Sequence, residues 1–204
     1  MFLCSYTQGA YTYEPPKGIT WDMEINDVNS ALGIIFNEIE SESKFIVYYK
    51  AIDYSKNNDV DSMRQNFREV FKIEIPDYDR VEIQNIYVHC EKETGKVVKF
   101  MIEFIPHFDA PPYFSKAMVT KYGNPDERYE LSACWTDADS SWVALMVQPT
   151  QGYKYLLDYI RICYGSPLHD KLSEKEMVEE LQKRMKKQKE EEERKKKAIM
   201  DSDF

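Results

Sequence analysis

Two runs of strict alternation joined by a tight turn constrain this chain most. Ile86, Val88 and Cys90 alternate with polar or amphipathic residues, and Val98, Phe100, Ile102 and Phe104 repeat the pattern. Between them Glu91–Lys96 makes a turn in which Gly95 supplies positive φ. Period-two apolar spacing turns one face of each strand toward a core and the other away from it. A connection this short makes the strands antiparallel, which excludes a doubly wound parallel sheet. Lys44–Ile52 is β-branched and aromatic and reads as another strand. Three more are expected at Tyr129–Trp135, Trp142–Val147 and Tyr153–Ile162, with Asp137–Ser141 closing a second hairpin.

Helical spacing falls between these runs. A helix capped near Asn26 or Asp27 is expected to carry Val28, Ala31, Leu32, Ile35 and Ile39 on one face. A second, capped by Asp59, turns Val60, Met63, Phe67, Val70 and Phe71 inward. A third follows Asp109, read as its cap, with Pro111 and Pro112 in the first turn and Gly123 as its stop. Its apolar face is Tyr113, Phe114, Ala117, Met118 and Tyr122. The fold class is therefore α+β: an antiparallel sheet with helices packed on one face, plus a long charged C-terminal helix. The expected divisions are an arm over 1–15, one domain over 16–168 and a charged helical tail over 171–204. Within the domain, 16–105 and 106–168 each run from a helix into strands.

The tail is read as starting at a capping box, Ser173 with Glu176, and a staple of Leu172 with Met177. Acid-before-base pairs four residues apart, such as Glu179/Lys183 and Glu190/Arg194, each add roughly 0.2–0.5 kcal/mol of helix stability. Met177, Val178, Leu181 and Met185 form an apolar side able to dock onto the body or a partner. Lys186 to Lys197 contains no apolar residue, which rules out a long zipper.

Composition narrows the function classes. With 43% hydrophobic and 14% aromatic residues the body can build a core. The tail holds 11 Lys/Arg against 10 Asp/Glu, a net of +1, so of the chain's net −9 the body carries −10. An acidic body repels phosphate backbones, and nucleic acid is not an expected partner. No stretch approaches the ~20 apolar residues of a membrane span. The opening Met1-Phe2-Leu3-Cys4 is too short for a leader, so a cytoplasmic protein is expected, or a periplasmic or envelope one whose leader has been removed. Cys4, Cys90, Cys134 and Cys163 lack C-x-x-C spacing and read as free thiols. No glycine-rich phosphate loop and no paired-histidine metal motif occurs, so no cofactor or metal is expected. Asp137, Asp139 and Ser141 begin like a calcium loop. Trp142 stands where that loop needs glycine and Gln148 where it needs glutamate, leaving a hairpin turn.

Few residues are candidates for chemistry. His89 and Cys90 are neighbours on a strand and point to opposite faces, so they cannot form a catalytic pair. His107, oriented by Asp109 or Glu103, is the base of a conceivable hydrolase-like site, with no nucleophile beside it. The tyrosines point elsewhere. Fifteen exceed the needs of a core this size, and Tyr48, Tyr54, Tyr78, Tyr87, Tyr155 and Tyr159 are candidates for a solvent-facing sheet surface. The expected function is a non-enzymatic protein-interaction or accessory module. Its partner contacts would be Tyr48, Tyr87, Tyr155 and Tyr159 on the sheet and Met177, Leu181 and Met185 on the tail.

Two segments carry a family resemblance. Pro16-Lys17-Gly18-Ile19-Thr20-Trp21-Asp22-Met23 with Asp27-Val28 and Leu32-Gly33 resembles the opening of small bacterial envelope and lipoprotein-like domains. Lys121-Tyr122-Gly123-Asn124-Pro125, then Trp135 and Val143-Ala144-Leu145, is similar to a stretch in the second half of such domains. They are of the β-lactamase-inhibitor and outer-membrane-assembly small-lipoprotein type. Over residues 16–162 the resemblance implies a helix-plus-antiparallel-sheet unit that binds other proteins and has no catalytic residues.

Overall fold

A computed structural model describes residues 13, 15, 18–39, 44–52, 75, 78, 81–153 and 156–202. The expected helix at Asp59–Phe71 and the candidates Tyr54 and Tyr155 lie outside them. Two compact units divide between His169 and Asp170.

The first unit is built on one eight-stranded sheet, antiparallel throughout, ordered β1-β2-β3-β4-β8-β7-β6-β5. Helix α1 (Ile25–Leu32) precedes β1 (Asn37–Ile39), β2 (Phe45–Ala51), β3 (Ile83–Glu91) and β4 (Val97–Phe104). Helix α2 (Pro111–Tyr122) precedes β5 (Glu127–Tyr129), β6 (Ser132–Thr136), β7 (Trp142–Pro149) and β8 (Leu157–Gly165). Among the described residues each half thus runs from a helix into four strands. The last strands of the halves, β4 and β8, meet at the sheet centre with Ile102 opposite Ile162.

The alternating residues build the core as expected. Ile86, Val88, Phe100, Ile102, Ile160, Ile162, Val143 and Leu145 are fully buried on one sheet face, under Val28 and Leu32 of α1 and Phe114 and Met118 of α2. Burying a side chain of this size contributes about 1.5–3 kcal/mol. Trp135 is buried among them and donates its indole N–H to the Gly123 carbonyl at 2.9 Å, so its polar atom is satisfied.

Several boundaries differ from the sequence reading. Helix α1 stops at Leu32 because Gly33 turns left-handed (φ 65°) and its N–H closes on Asn29. Ile35 is therefore 77% exposed, and Ile39 sits in edge strand β1. The cap of α1 is Glu24, paired reciprocally with Asp27. Ala110 caps α2, and Asp109 receives the Tyr78 hydroxyl instead (3.4 Å). The strand expected at Tyr129–Trp135 breaks at Glu130 (φ 43°) into β5 and β6.

The C-terminal helix α3 (Pro167–Ser202) begins before the Ser173/Glu176 box, which falls inside it. Its start is set by Ser166, whose hydroxyl and carbonyl both receive the His169 N–H (3.2 and 3.0 Å), with Pro167 in the first helical position. No described helix is long and apolar enough to cross a membrane.

Candidate protein-binding sheet face

Register determines what the sheet presents on the side away from the core, because residues directly opposite each other share a face. One cross-strand row reads Ile39, Val47, His89, Lys99, Gly165, Trp142, Thr136. The next reads Asn37, Tyr49, Tyr87, Met101, Cys163, Ala144, Cys134, Glu127. A third reads Ala51, Asn85, Glu103, Arg161, Met146, and Tyr159 opposite Gln148 begins a fourth. In a chain with 31% charged residues, Lys99, Glu103, Arg161 and Glu127 are the charged members of these rows. Solvated sheet faces ordinarily alternate to polar residues. This one sets Tyr49, Tyr87, Tyr159, Trp142, Met101, Met146, Cys134 and Cys163 among the polar Asn37, Asn85, Thr136 and Gln148.

The middle is tightly tied. Arg161 Nε donates to Glu103 Oε2 at 2.5 Å, and Asn85 Nδ2 donates to Glu103 Oε1 at 2.5 Å. Glu103 is buried, while the Arg161 side chain is 27% exposed and lies 3.8 Å over the Tyr159 ring. Tyr87 packs against Tyr49 with centroids 5.3 Å apart. Burial raises the Tyr87 phenol above its ordinary value, and the nearby Glu103 carboxylate adds to the effect. The Cys163 thiol is buried against Met146 sulfur at 3.6 Å, and burial pushes it up to about 11.

An aromatic cluster closes one end of the face. His169, in the first turn of α3, stacks on Phe45 (5.1 Å) and meets Trp142 (5.9 Å) and His89 (6.3 Å) edge-on. Lys99 Nζ lies 5.8 Å over the Trp142 ring. Burial, then Lys99 and His169, lower the His89 imidazole to about 3. The folded state therefore refuses a proton that the unfolded chain accepts near pH 6.5. Stability is unaffected above that value and falls as the pH drops below it, until the folded ring titrates. With discounting for partial exposure, about 1–2 kcal/mol is lost between pH 6.5 and about pH 5. His89→Phe is expected to flatten that limb of a urea-midpoint profile, and an unchanged slope would remove His89 as its source.

The structure separates the sequence candidates. Tyr87 and Tyr159 stand on this face. Tyr48 pairs with Val88 and faces the core side, where it is partly buried, and Tyr78 is buried and stacked on Tyr113. Met177, Leu181 and Met185 are exposed on α3 in the second unit. Among the described residues His107 has no carboxylate partner: Glu103 is held by Arg161 and Asn85, and Asp109 takes the Tyr78 hydroxyl. A cavity of about 160 Å³ beside the first turn of α2, lined by Pro111, Pro112, Ser115, Arg128 and Glu130 among others, does not include His107. Cys90 faces the core, its thiol raised by burial to about 12, with His89 on the other side. Asp139 accepts the Ser141 N–H within the hairpin turn. Sequence reasoning misses Arg161 and Met146, and sets Glu103 beside His107 where the structure sets it beside Arg161.

Comparison with known proteins finds no matching family model, no similar curated protein and no similar solved structure.

Proposed function

We propose that this chain is a non-enzymatic protein-interaction module that binds its partner through the sheet face bearing Tyr87, Tyr159, Met146 and Arg161. The observation that carries this reading is the composition of that face. Tyrosine, tryptophan, methionine and arginine are the residues enriched where protein surfaces meet, and lysine and carboxylates are depleted there. The likeness of residues 16–162 to small envelope domains that bind other proteins supports the same reading. The exposed Met177, Leu181 and Met185 offer a secondary contact on the tail.

Affinity capture from the native source tests it, using the full chain, a Tyr87→Ala/Tyr159→Ala variant and a chain lacking 171–204. The expected result is a partner held by the full chain and lost from the tyrosine variant, with weaker retention when the tail is removed. A folded tyrosine variant that keeps every partner would sink the proposal.

A further inference from the structure

Arg161 uses only part of its guanidinium on its own protein. Its Nε is engaged by Glu103, whose other oxygen is held by Asn85, and its plane rests on Tyr159. Among the described residues nothing accepts from Nη1 or Nη2. The side chain is 27% exposed, and Met146, directly across on β7, is 38% exposed. A guanidinium fixed from behind and stacked on an aromatic ring has lost its rotamer freedom in advance. It offers a planar fork that matches a carboxylate with two parallel hydrogen bonds. An incoming carboxylate meets few like charges here, since Glu103 is already hydrogen-bonded to Arg161 and Asn85, and Glu127 lies on the edge strand β5.

We propose that Arg161 is the anchor of the binding face and takes a carboxylate side chain of the partner protein, with Tyr159, Tyr87 and Met146 as its apolar rim. This rests on the reading of the sheet face given above. The match is one of charge and shape: four unengaged N–H donors on a cation, framed by aromatic and thioether surface.

The test is a titration of the full chain, with Arg161 followed by its Nε resonance, using the capped tripeptides Leu-Glu-Phe and Leu-Gln-Phe. The expected result is a saturable shift of Arg161 and Tyr159 with the glutamate peptide and binding at least about tenfold weaker with the glutamine peptide. Arg161→Lys keeps the charge and removes the fork, and is expected to abolish that difference while the Tyr49–Tyr87 signals stay native. Equal binding of the two peptides overturns the proposal, as does an unchanged preference in Arg161→Lys or no response to either peptide or to acetate. A stronger response to inorganic phosphate than to acetate also overturns it, in favour of a phosphorylated ligand. In the capture experiment, a partner lost from the tyrosine variant but kept by Arg161→Lys removes the anchor and leaves the face standing. A partner kept by both removes the face as well.

Discussion

Arg161→Met is expected to destabilise the fold by about 3 kcal/mol, the lower end of the range for breaking a buried ion pair. The cost comes from Glu103. Its carboxylate is buried, and without the guanidinium it keeps only the Asn85 amide as a described partner. A charge left in that position must be protonated or hydrated, and either costs free energy. The lower end applies because the arginine itself is 27% exposed, so part of the pair's attraction is already screened. The companion variant carries Arg161→Met and Glu103→Met together. With both charges removed from a face rich in thioether and aromatic groups, most of the loss should be recovered. Urea unfolding of the two variants decides the matter. A cost below about 1 kcal/mol for the single change would class the pair as an ordinary surface contact.

Sequence spacing does not reveal that pair. Glu103 and Arg161 are 58 residues apart and become neighbours only because the last strands of the two halves, β4 and β8, pair at the sheet centre. Hydrophobic periodicity specifies that each strand has two faces and is silent about which strand lies beside which. A weaker signal is present: Glu103 and Arg161 are charges of opposite sign at non-core positions of strands that carry one other charge each, Lys99 on β4 and Asp158 on β8. Tyr87 and Tyr159 were found because tyrosine at the alternate positions of a strand is informative by itself. Composition alone puts Tyr48 with them, because face assignment needs register, and the register places it opposite Val88.

The same distinction runs through the fold. The β3–β4 hairpin and α2 follow from local rules: period two with a tight turn in one case, two prolines and an apolar stripe in the other. Strand β1 is three exposed residues on a sheet edge, too short for any period to show. Its residues looked helical because Ile35 and Ile39 continued the spacing of α1, while Gly33 alone signalled the stop. At α3 two capping signals competed. Ser166-Pro167 prevailed over Ser173-Glu176 because Ser166 follows directly on β8 and caps a turn that packs His169 against Phe45.

That junction gives the second large effect, at Gly165. A Cβ there would lie 2.1 Å from Trp142 Cε2 and 2.3 Å from Cζ2, inside the space of a rigid ring. The backbone is not the obstacle, since Gly165 lacks the positive φ found at Gly33 and Gly95. It is glycine because the indole of its cross-strand partner Trp142 lies over it. On the other side Lys99, also opposite Gly165, reaches the Trp142 ring, and His169 meets the ring edge-on. Gly165→Ala must therefore displace the indole and loosen its contacts with Lys99 and His169, at an expected cost of about 1–3 kcal/mol. Trp142→Val vacates the same space, so the double variant should be more stable than Gly165→Ala alone, with a coupling of about 0.5–3 kcal/mol in the cycle. Thermal unfolding of the four proteins, with the His169 ring resonance as a local reporter, measures both effects. Additive changes, or a Gly165→Ala protein as stable as the wild type, would mean that the ring does not rest on that strand. The aromatic cluster would then have no role in fixing where α3 begins.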